Sequence, residues 1–252
     1  MAKETGLGDY FYLDGYDLSG DVGAISTLHG GPNPIEVTGI NKSAYERLGG
    51  QLSGEVEWAG FFNTAAGQEH AALSPLPLTD RIGSYYHQQI LGYPAASIQF
   101  VQGNYDPTRT DKGELTTKVM GQSDLWPLEW GEQLTAGKIN ITTAGNQNGF
   151  DYGTAIGTAG LTTFGLQAYL HVFAITGTSA TVNIQHSNDN AVGDAYATVA
   201  SFTAATAGPT AQRLQTSGST SVKRWLRVNV TGTFSSFTFA VMVVKNATAV
   251  AF

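Results

Sequence analysis

Alternation of apolar and polar residues is the clearest pattern in the first half of the chain. Within residues 54–62, Val56 and Trp58 fall on one side of an extended chain, and Glu55 and Glu57 fall on the other. Because strand side chains alternate between faces, this segment is predicted to be a β-strand with one buried face. Further strand candidates in this half are residues 35–37, 97–101 and 114–119.

Two segments of the first half have the spacing of helices instead. In residues 78–91, Ile82, Tyr86 and Ile90 recur at roughly helical intervals, and a glycine and a proline follow the segment. These features predict a helix that ends before the glycine. A second, shorter helix is predicted at residues 43–48.

The second half of the chain consists of apolar-rich runs separated by turn-rich segments such as SNDNAVGD. Five to seven strands at this spacing predict a β-sandwich of the jelly-roll or immunoglobulin type. The predicted strands are residues 164–175, 181–186, 197–202, 212–215, 222–230 and 236–245.

A change in composition predicts a domain boundary near the middle of the chain. Residues 145–160 are rich in Gly, Asn and Thr, and this composition is typical of a linker. Residues 1–155 hold 8 basic and 18 acidic residues, whereas residues 156–252 hold 5 and 2. We therefore predict two domains, residues 1–152 and residues 153–252.

The composition favours an all-β protein with one or two short helices. Charged residues make up only 13% of the 252 residues, and there are 31 glycines. Surfaces built from Thr, Ser, Asn and Gly favour strands and tight turns. There are no cysteines, which excludes disulfides, thiolate metal sites and a cysteine nucleophile. The N-terminus lacks the pattern of a signal peptide, and no apolar run is long enough for a membrane-spanning helix, so no membrane insertion is expected.

Motifs of catalysis are scarce. The five histidines include no metal-binding pair at helical spacing, and the Gly-rich residues 153–160 lack the lysine of a phosphate loop. Glu55 and Glu57 share a strand face and leave open a hydrolase that uses two carboxylates, but a solvated acidic face is the favoured interpretation. We therefore predict a protein that is not an enzyme and that uses no cofactor or metal.

A cationic and aromatic cluster lies in the segment VKRWLRV. Lys223, Trp225 and Arg227 have the composition of a platform for a sugar or a nucleic acid, because aromatic faces stack on both. The favoured alternative is a sandwich strand whose aliphatic residues point inward.

The order of several segments resembles the major tail proteins of long-tailed bacteriophages, especially those that infect actinobacteria. The segments run from DLSGDVGAIS through IEVTGINKSAYERLGG to GEVEWAGFF, and then to AALSPLPLTDR, NYDPTR and LEWGEQLTAG. The trailing FGLQAYLHVFAITGTSATVNIQHSNDN is similar to an added C-terminal sandwich of such proteins. The resemblance covers nearly the whole chain, and none of its segments is catalytic.

The resemblance implies a tail tube subunit of the phage virion, made in the cytoplasm of the host bacterium. Residues 1–152 would form a sandwich or barrel domain, and residues 153–252 a decoration domain outside the tube. Copies of the chain would form rings, six in the family's usual pattern, by continuing one another's sheets. Expected partners are further copies, the tape measure, terminator and tail-tip proteins, and phage DNA that passes without specific binding.

Two sets of residues are assigned to the tube on this basis. Glu55, Glu57 and Glu114 are the candidates for the lumen face, since an acidic wall repels DNA and lets it slide. The Tyr- and Asp-rich segment near the N-terminus is interpreted as an arm that orders on contact with the next ring, through Tyr10, Tyr12, Asp14 and Tyr16.

The alternative function is a carbohydrate-binding or host-adhesion protein at the phage tail tip. In that interpretation the C-terminal domain contacts surface glycans through Lys223, Trp225 and Arg227.

Overall fold

The structure, a computed structural model, describes residues 5–249. The ends of the two predicted domains, residues 1–4 and 250–252, lie outside the described residues. Within the described part the chain is almost entirely antiparallel β with one five-residue helix, which confirms the all-β prediction. The elements are β1 (Tyr10–Leu13), β2 (Tyr16–Asp17), β3 (Val22–Glu36), β4 (Arg47–Phe61), α1 (Glu69–Leu73), β5 (Arg81–Tyr86), β6 (Pro94–Gln102), β7 (Asp106–Arg109), β8 (Leu115–Ser123), β9 (Glu129–Gln133), β10 (Ile139–Ile141), β11 (Gly145–Asn146), β12 (Phe150–Asp151), β13 (Leu166–Ser187), β14 (Ala197–Ser201), β15 (Thr210–Gln215) and β16 (Trp225–Lys245).

The chain divides into two compact units that interleave along the sequence. One, here called the hairpin unit, comprises Gly20–Arg81 and Ile98–Glu129. The other, the ribbon unit, comprises the chain up to Ser19, Ile82–Ser97 and the chain from Trp130 onward. These units do not follow the boundary predicted between residues 152 and 153, and the roles assigned to the two predicted domains stay predictions.

The ribbon unit is built on the pairing of β13 with β16. Their register runs from Leu166 opposite Lys245 to Ser187 opposite Trp225, with register shifts on both sides of Gly177. Residues from both halves of each strand enter one hydrophobic cluster, so the ribbon encloses its own core. The strands predicted in this region exist, but four of them are joined pairwise into two long strands.

The predicted linker or long connection at residues 145–160 is wrong for residues 145–152, whereas residues 153–160 are a connection without a strand. Strands β11 and β12 pair with β16, with Gly145 opposite Val230 and Phe150 opposite Leu226. Tyr152 is buried in the same cluster. The Gly- and Asn-rich composition therefore reflects short strands and turns packed on the ribbon unit, because backbone hydrogen bonds to β16 need no periodic apolar side chains.

The N-terminal segment is part of the fold and is not an arm outside it. Strand β1 pairs with β5, with Tyr10 opposite Tyr86. Tyr12 is fully buried, and Tyr10, Asp14 and Tyr16 are half-buried. The interpretation of residues 10–17 as a free arm is therefore wrong, whereas contact with a neighbouring ring stays a prediction.

Both predicted helices are wrong. Residues 78–91 contain β5 and a following turn, and residues 43–48 contain the end of a hairpin loop and the start of β4. Ile82 and Tyr86 lie on one face of β5 and are buried. On the opposite face Arg81 and Gly83 are also buried, so the strand lacks the exposed polar face that would have revealed its period of two.

The hairpin unit is a sheet in the order β3, β4, β8, β7. β3 pairs with β4 from Val22 opposite Gly60 to Glu36 opposite Arg47. β8 pairs with the inner part of β4 and, on its other side, with β7 and with the end of β6. Its core contains Val56 and Trp58, as the alternation predicts.

Candidate assembly surface

The outer halves of β3 and β4 form a two-stranded projection, here called the hairpin arm, residues 32–52. Pairing of β4 with β8 begins at Glu55, so the arm has only its own two strands. Leu128 packs at its root, where a Cβ at Gly30 would lie 2.8 Å from Leu128 Cβ. An isolated two-stranded hairpin is at best marginally stable in water, so a covering partner would stabilise this arm.

A register shift changes the face on which the side chains of outer β4 lie. Between Pro32 and Pro34, β4 contains one more residue than β3. The bulge places Ile35 and Leu48, which are directly opposite each other, on the face that bears Glu55 further in. Ile35 is 53% exposed and Leu48 is 59% exposed.

The end of the arm is apolar and electrically neutral. Its acidic and basic side chains balance, since Lys42 Nζ contacts Glu46 Oε1 at 2.9 Å and Glu36 pairs across from Arg47. We call the exposed apolar side chains here the apolar tip: Ile35, Val37, Ile40, Tyr45 and Leu48. Contiguous exposed apolar patches mark surfaces that bind another molecule.

The two margins of the hairpin-unit sheet are open. In the described residues β3 pairs only with β4, and β7 pairs only with β8. Pro32, Pro34 and Pro107 lie in these margins and cannot donate a backbone hydrogen bond. The outer part of β3 is therefore poorly suited to strand addition, and a contact there would use side chains.

The structure brings two of the three lumen candidates together. Glu55 and Glu57 lie on the face of β4 opposite Val56, whereas Glu114 lies in the turn before β8. Glu57 is bound by Lys118 and lies 3.4 Å from Thr27 Oγ1. The lumen role of these residues stays a prediction.

The electrostatics of Glu57 do not fit the general-acid role in the hydrolase alternative. The hydrogen bond from Lys118 lowers the pKa of Glu57. The general acid of a glycosidase needs a raised pKa, whereas the pKa of Glu57 is lowered.

The cations of the predicted sugar platform already have partners. Lys223 Nζ contacts both carboxylate oxygens of Asp194 at 2.7 and 2.8 Å. Arg227 donates to Gln185 Oε1 at 2.9 Å, and its guanidinium lies 3.9 Å from the centre of the Tyr196 ring. Trp225 between them is half-buried. The platform role stays a prediction, but a ligand there would compete with these contacts.

A buried carboxylate beside Gly60, at the inner end of β4, was not anticipated from the sequence. Glu69 of α1 is fully buried; its Oε1 accepts a hydrogen bond from Thr117, and its Oε2 has no hydrogen-bond partner. Its backbone N–H donates to Asp21 at 3.0 Å. Burial, and the nearby Asp21 carboxylate, raise the pKa of Glu69 to about 6. The one available signal was Gly60, where a Cβ would lie 2.3 Å from Glu69 Oε1.

A second unanticipated feature is a buried polar network in the ribbon unit. His171 Nδ1 accepts the backbone N–H of Gly15 at 3.2 Å, so Nε2 carries the proton and donates to Ser84 at 2.7 Å. Ser84 contacts Ser97 at 2.5 Å. The partners are 156 and 87 residues from His171 in sequence, so no local motif announces the network.

Residues 5–249 contain no cluster of three or more His, Cys, Asp or Glu side chains that could hold a metal ion. No helix in the same range is long and apolar enough to cross a membrane.

Comparison with known proteins finds similarity among solved structures only. No protein-family model matches the chain, and no curated protein matches it. A chain of the virion of a native gene transfer agent particle matches with a TM-score of 0.41 and 17% identity, over 50% of this chain and 97% of that chain. The Dit protein of phage SPP1 matches with a TM-score of 0.33 and 11% identity, over 94% and 99% of the two chains. A chain of the phage p2 baseplate matches with a TM-score of 0.34 and 10% identity, over 95% and 99%. Because these TM-scores are below 0.5, function must rest on the residues of this chain.

Proposed function

We propose that this protein is a structural subunit of a phage tail, the tube subunit that polymerises into a hollow tube for phage DNA. The observation that carries the proposal is the apolar tip of the hairpin arm, which nothing in the described chain covers. The ordered resemblance to major tail proteins supports further copies of the chain as the binding partner.

Tube formation needs a contact that does not close on itself. Two different surfaces of one subunit, joined head to tail, produce a ring or an open stack. The arm and the remaining surface of the hairpin unit are such a pair of unlike surfaces. Stacked six-membered rings are the arrangement that the sequence resemblance implies.

The charge of the hairpin unit supports a DNA-conducting role. This unit contains 12 acidic and 6 basic residues, a formal net charge of −6. An acidic surface does not retain a polyanion by phosphate neutralisation, so DNA would pass along it without binding.

Negative-stain electron microscopy of the concentrated purified protein tests the proposal. We expect hollow tubes of uniform width, and analytical ultracentrifugation should show growth with concentration. A double substitution of the arm, Ile35→Ser with Leu48→Ser, should abolish the tubes. Val192→Ser, which alters an exposed valine of the ribbon unit, is the matched control and should assemble normally. A wild-type chain that stays monomeric at every concentration would refute the function.

A further inference from the structure

Two loops of the hairpin unit are anchored on the same residue. Gln99 Nε2 donates to Asp80 Oδ2 at 2.8 Å, and the Gln99 carbonyl accepts the backbone N–H of Asp124 at 3.1 Å. Residues 74–80 and 124–127 therefore lie next to each other on this unit. We call them the leucine loops.

The leucine loops expose leucines on an unfavourable backbone. Leu78 is fully exposed and Leu125 is 77% exposed. Leu76 and Leu125 have φ angles of 43° and 61°, in the left-handed region that leucine rarely adopts. Such a conformation costs roughly 1 kcal/mol or more per residue. For Leu125 this cost is not offset by burial of the side chain within the described chain.

We propose that the leucine loops of one copy are the surface on which the apolar tip of the next copy's hairpin arm packs. The inference rests on the proposed self-assembly and deepens it, because it names both sides of the contact and its polarity. Where the arm and the loops of one copy engage two different neighbours, the contact is head to tail and leaves a free arm and a free pair of loops at the ends of any chain of copies.

Charge and backbone chemistry favour a second copy as the occupant. The arm is neutral, so its own side chains add no charge repulsion when it packs on the acidic hairpin unit of another copy. Pro32 and Pro34 limit strand addition at the arm, which leaves side-chain packing as its means of contact. Within one copy, Leu128 already packs on the root of the arm. The leucine loops of a second copy would add further leucine contacts at the apolar tip.

Cysteine cross-linking tests the pairing directly, because the chain has no cysteine of its own. One preparation carries Leu48→Cys in the arm, and the other carries Leu125→Cys in the leucine loops. A disulfide forms only where the two Cα atoms come within roughly 4.4–6.8 Å. Leu52→Cys, nearer the root of the arm, and Leu78→Cys, in the other leucine loop, allow for a contact displaced along the arm or from one loop to the other.

We expect covalent dimers when an arm variant and a loop variant are mixed and oxidised, and few when either is oxidised alone. Val192→Cys, at a more exposed residue of the ribbon unit, should give no dimer with the arm variants. Dimers from an arm variant alone, or tubes that form while no arm-to-loop pair cross-links, would overturn the inference and leave the tube function intact. No self-association of the wild-type chain would overturn both.

Charge substitutions give a second measurement that does not depend on disulfide geometry. Leu48→Glu and Leu125→Glu should each raise the concentration needed for assembly at least about tenfold, the equivalent of one lost apolar contact. An equal mixture of the two variants should form dimers, since one retains its loops and the other its arm. If the mixture stays monomeric while the wild type assembles, the inference is wrong.

Discussion

Glu69 is a buried carboxyl whose burial is only partly compensated. It is fully buried with an unpartnered Oε2, beside a second carboxylate at Asp21. Because its folded-state pKa is raised from 4.5 to about 6, the protonated form is favoured in the fold. The stability that this proton confers is present below about pH 4.5 and is lost as the pH rises through about 6.

Replacing this carboxyl with an amide should therefore stabilise the protein only at neutral and higher pH. We expect Glu69→Gln to raise the free energy of unfolding by about 1–2 kcal/mol at pH 8 and to leave it nearly unchanged at pH 4. Urea unfolding at the two pH values measures the difference. Glu114→Gln, at an exposed carboxyl of the same unit, is the control and should change neither value. Equal effects of Glu69→Gln at both pH values would contradict this account.

His171 produces the opposite dependence on pH. Burial lowers its pKa from 6.5 to about 3, so the fold requires the neutral ring. Its contribution is complete above about pH 6.5 and is lost as the pH falls toward 3. A proton on Nδ1 would also face the N–H of Gly15, which now donates to it.

We expect unfolding experiments from pH 7 to pH 4.5 to show a steeper loss of stability in the wild type than in His171→Gln. The variant should also be less stable at pH 7 by about 1–3 kcal/mol, because it leaves buried polar partners without hydrogen bonds. His29→Gln, at an exposed histidine, should keep the wild-type slope. Parallel curves for the wild type and His171→Gln would show that this ring is not the titrating group.

At the scale of elements, β1 is a core strand, and its substitution distinguishes a core role from an assembly role. The Tyr12 ring is fully buried, 4.9 Å from the centres of the Tyr86 and Phe173 rings. We expect Tyr12→Ala to lower the free energy of unfolding by about 3–5 kcal/mol, as for other large buried side chains. The half-buried Tyr16 is the control, and Tyr16→Ala should cost less than half as much. A Tyr12→Ala chain that folds normally but fails to assemble would restore the arm interpretation.

Elements with one buried and one solvated face could be predicted from the sequence. Val56 and Trp58 against Glu55 and Glu57 give the period of two directly, and β4 lies where this alternation predicts it. β5 was mistaken for a helix because it is buried on both faces, and its buried Ser84 is explained only by the distant His171. The hydrophobic periodicity of a strand depends on which of its faces are buried. In β5 the burial comes from segments far away in sequence.

The apolar tip and the leucine loops were beyond the same method for another reason. The residue type does not distinguish an exposed Ile35 or Leu125 from a buried isoleucine or leucine. Sequence spacing does not show which of them is exposed to solvent. The bulge in β4 opposite Pro32 and Pro34, which places Leu48 on the face that Ile35 occupies, depends on the register with the partner strand. Only the pairing of two strands in space sets that register.

At the scale of the whole molecule, charge is divided by unit more sharply than by position along the chain. The hairpin unit has a formal charge of −6, and the ribbon unit has 8 acidic and 7 basic residues, a charge of −1. The composition change near residue 150 suggested a boundary, but the chain passes between the units four times. The acidic and basic segments of the sequence are therefore not separate units. No single boundary in the sequence separates the hairpin unit from the ribbon unit.

This distribution makes self-assembly dependent on salt. Joining hairpin units brings surfaces of like charge together, and salt screens that repulsion as the Debye length falls from about 20 Å near 0.02 M to about 4 Å near 0.5 M. We expect the concentration needed for assembly, measured by sedimentation, to fall severalfold over this range of sodium chloride. Glu55→Gln with Glu114→Gln reduces the charge of the unit to −4 and should weaken the salt dependence. Since salt strengthens apolar contacts equally in both proteins, the difference between them isolates the repulsion. Tubes that dissolve as salt is added would show instead that ion pairs, and not the neutral apolar tip, join the copies.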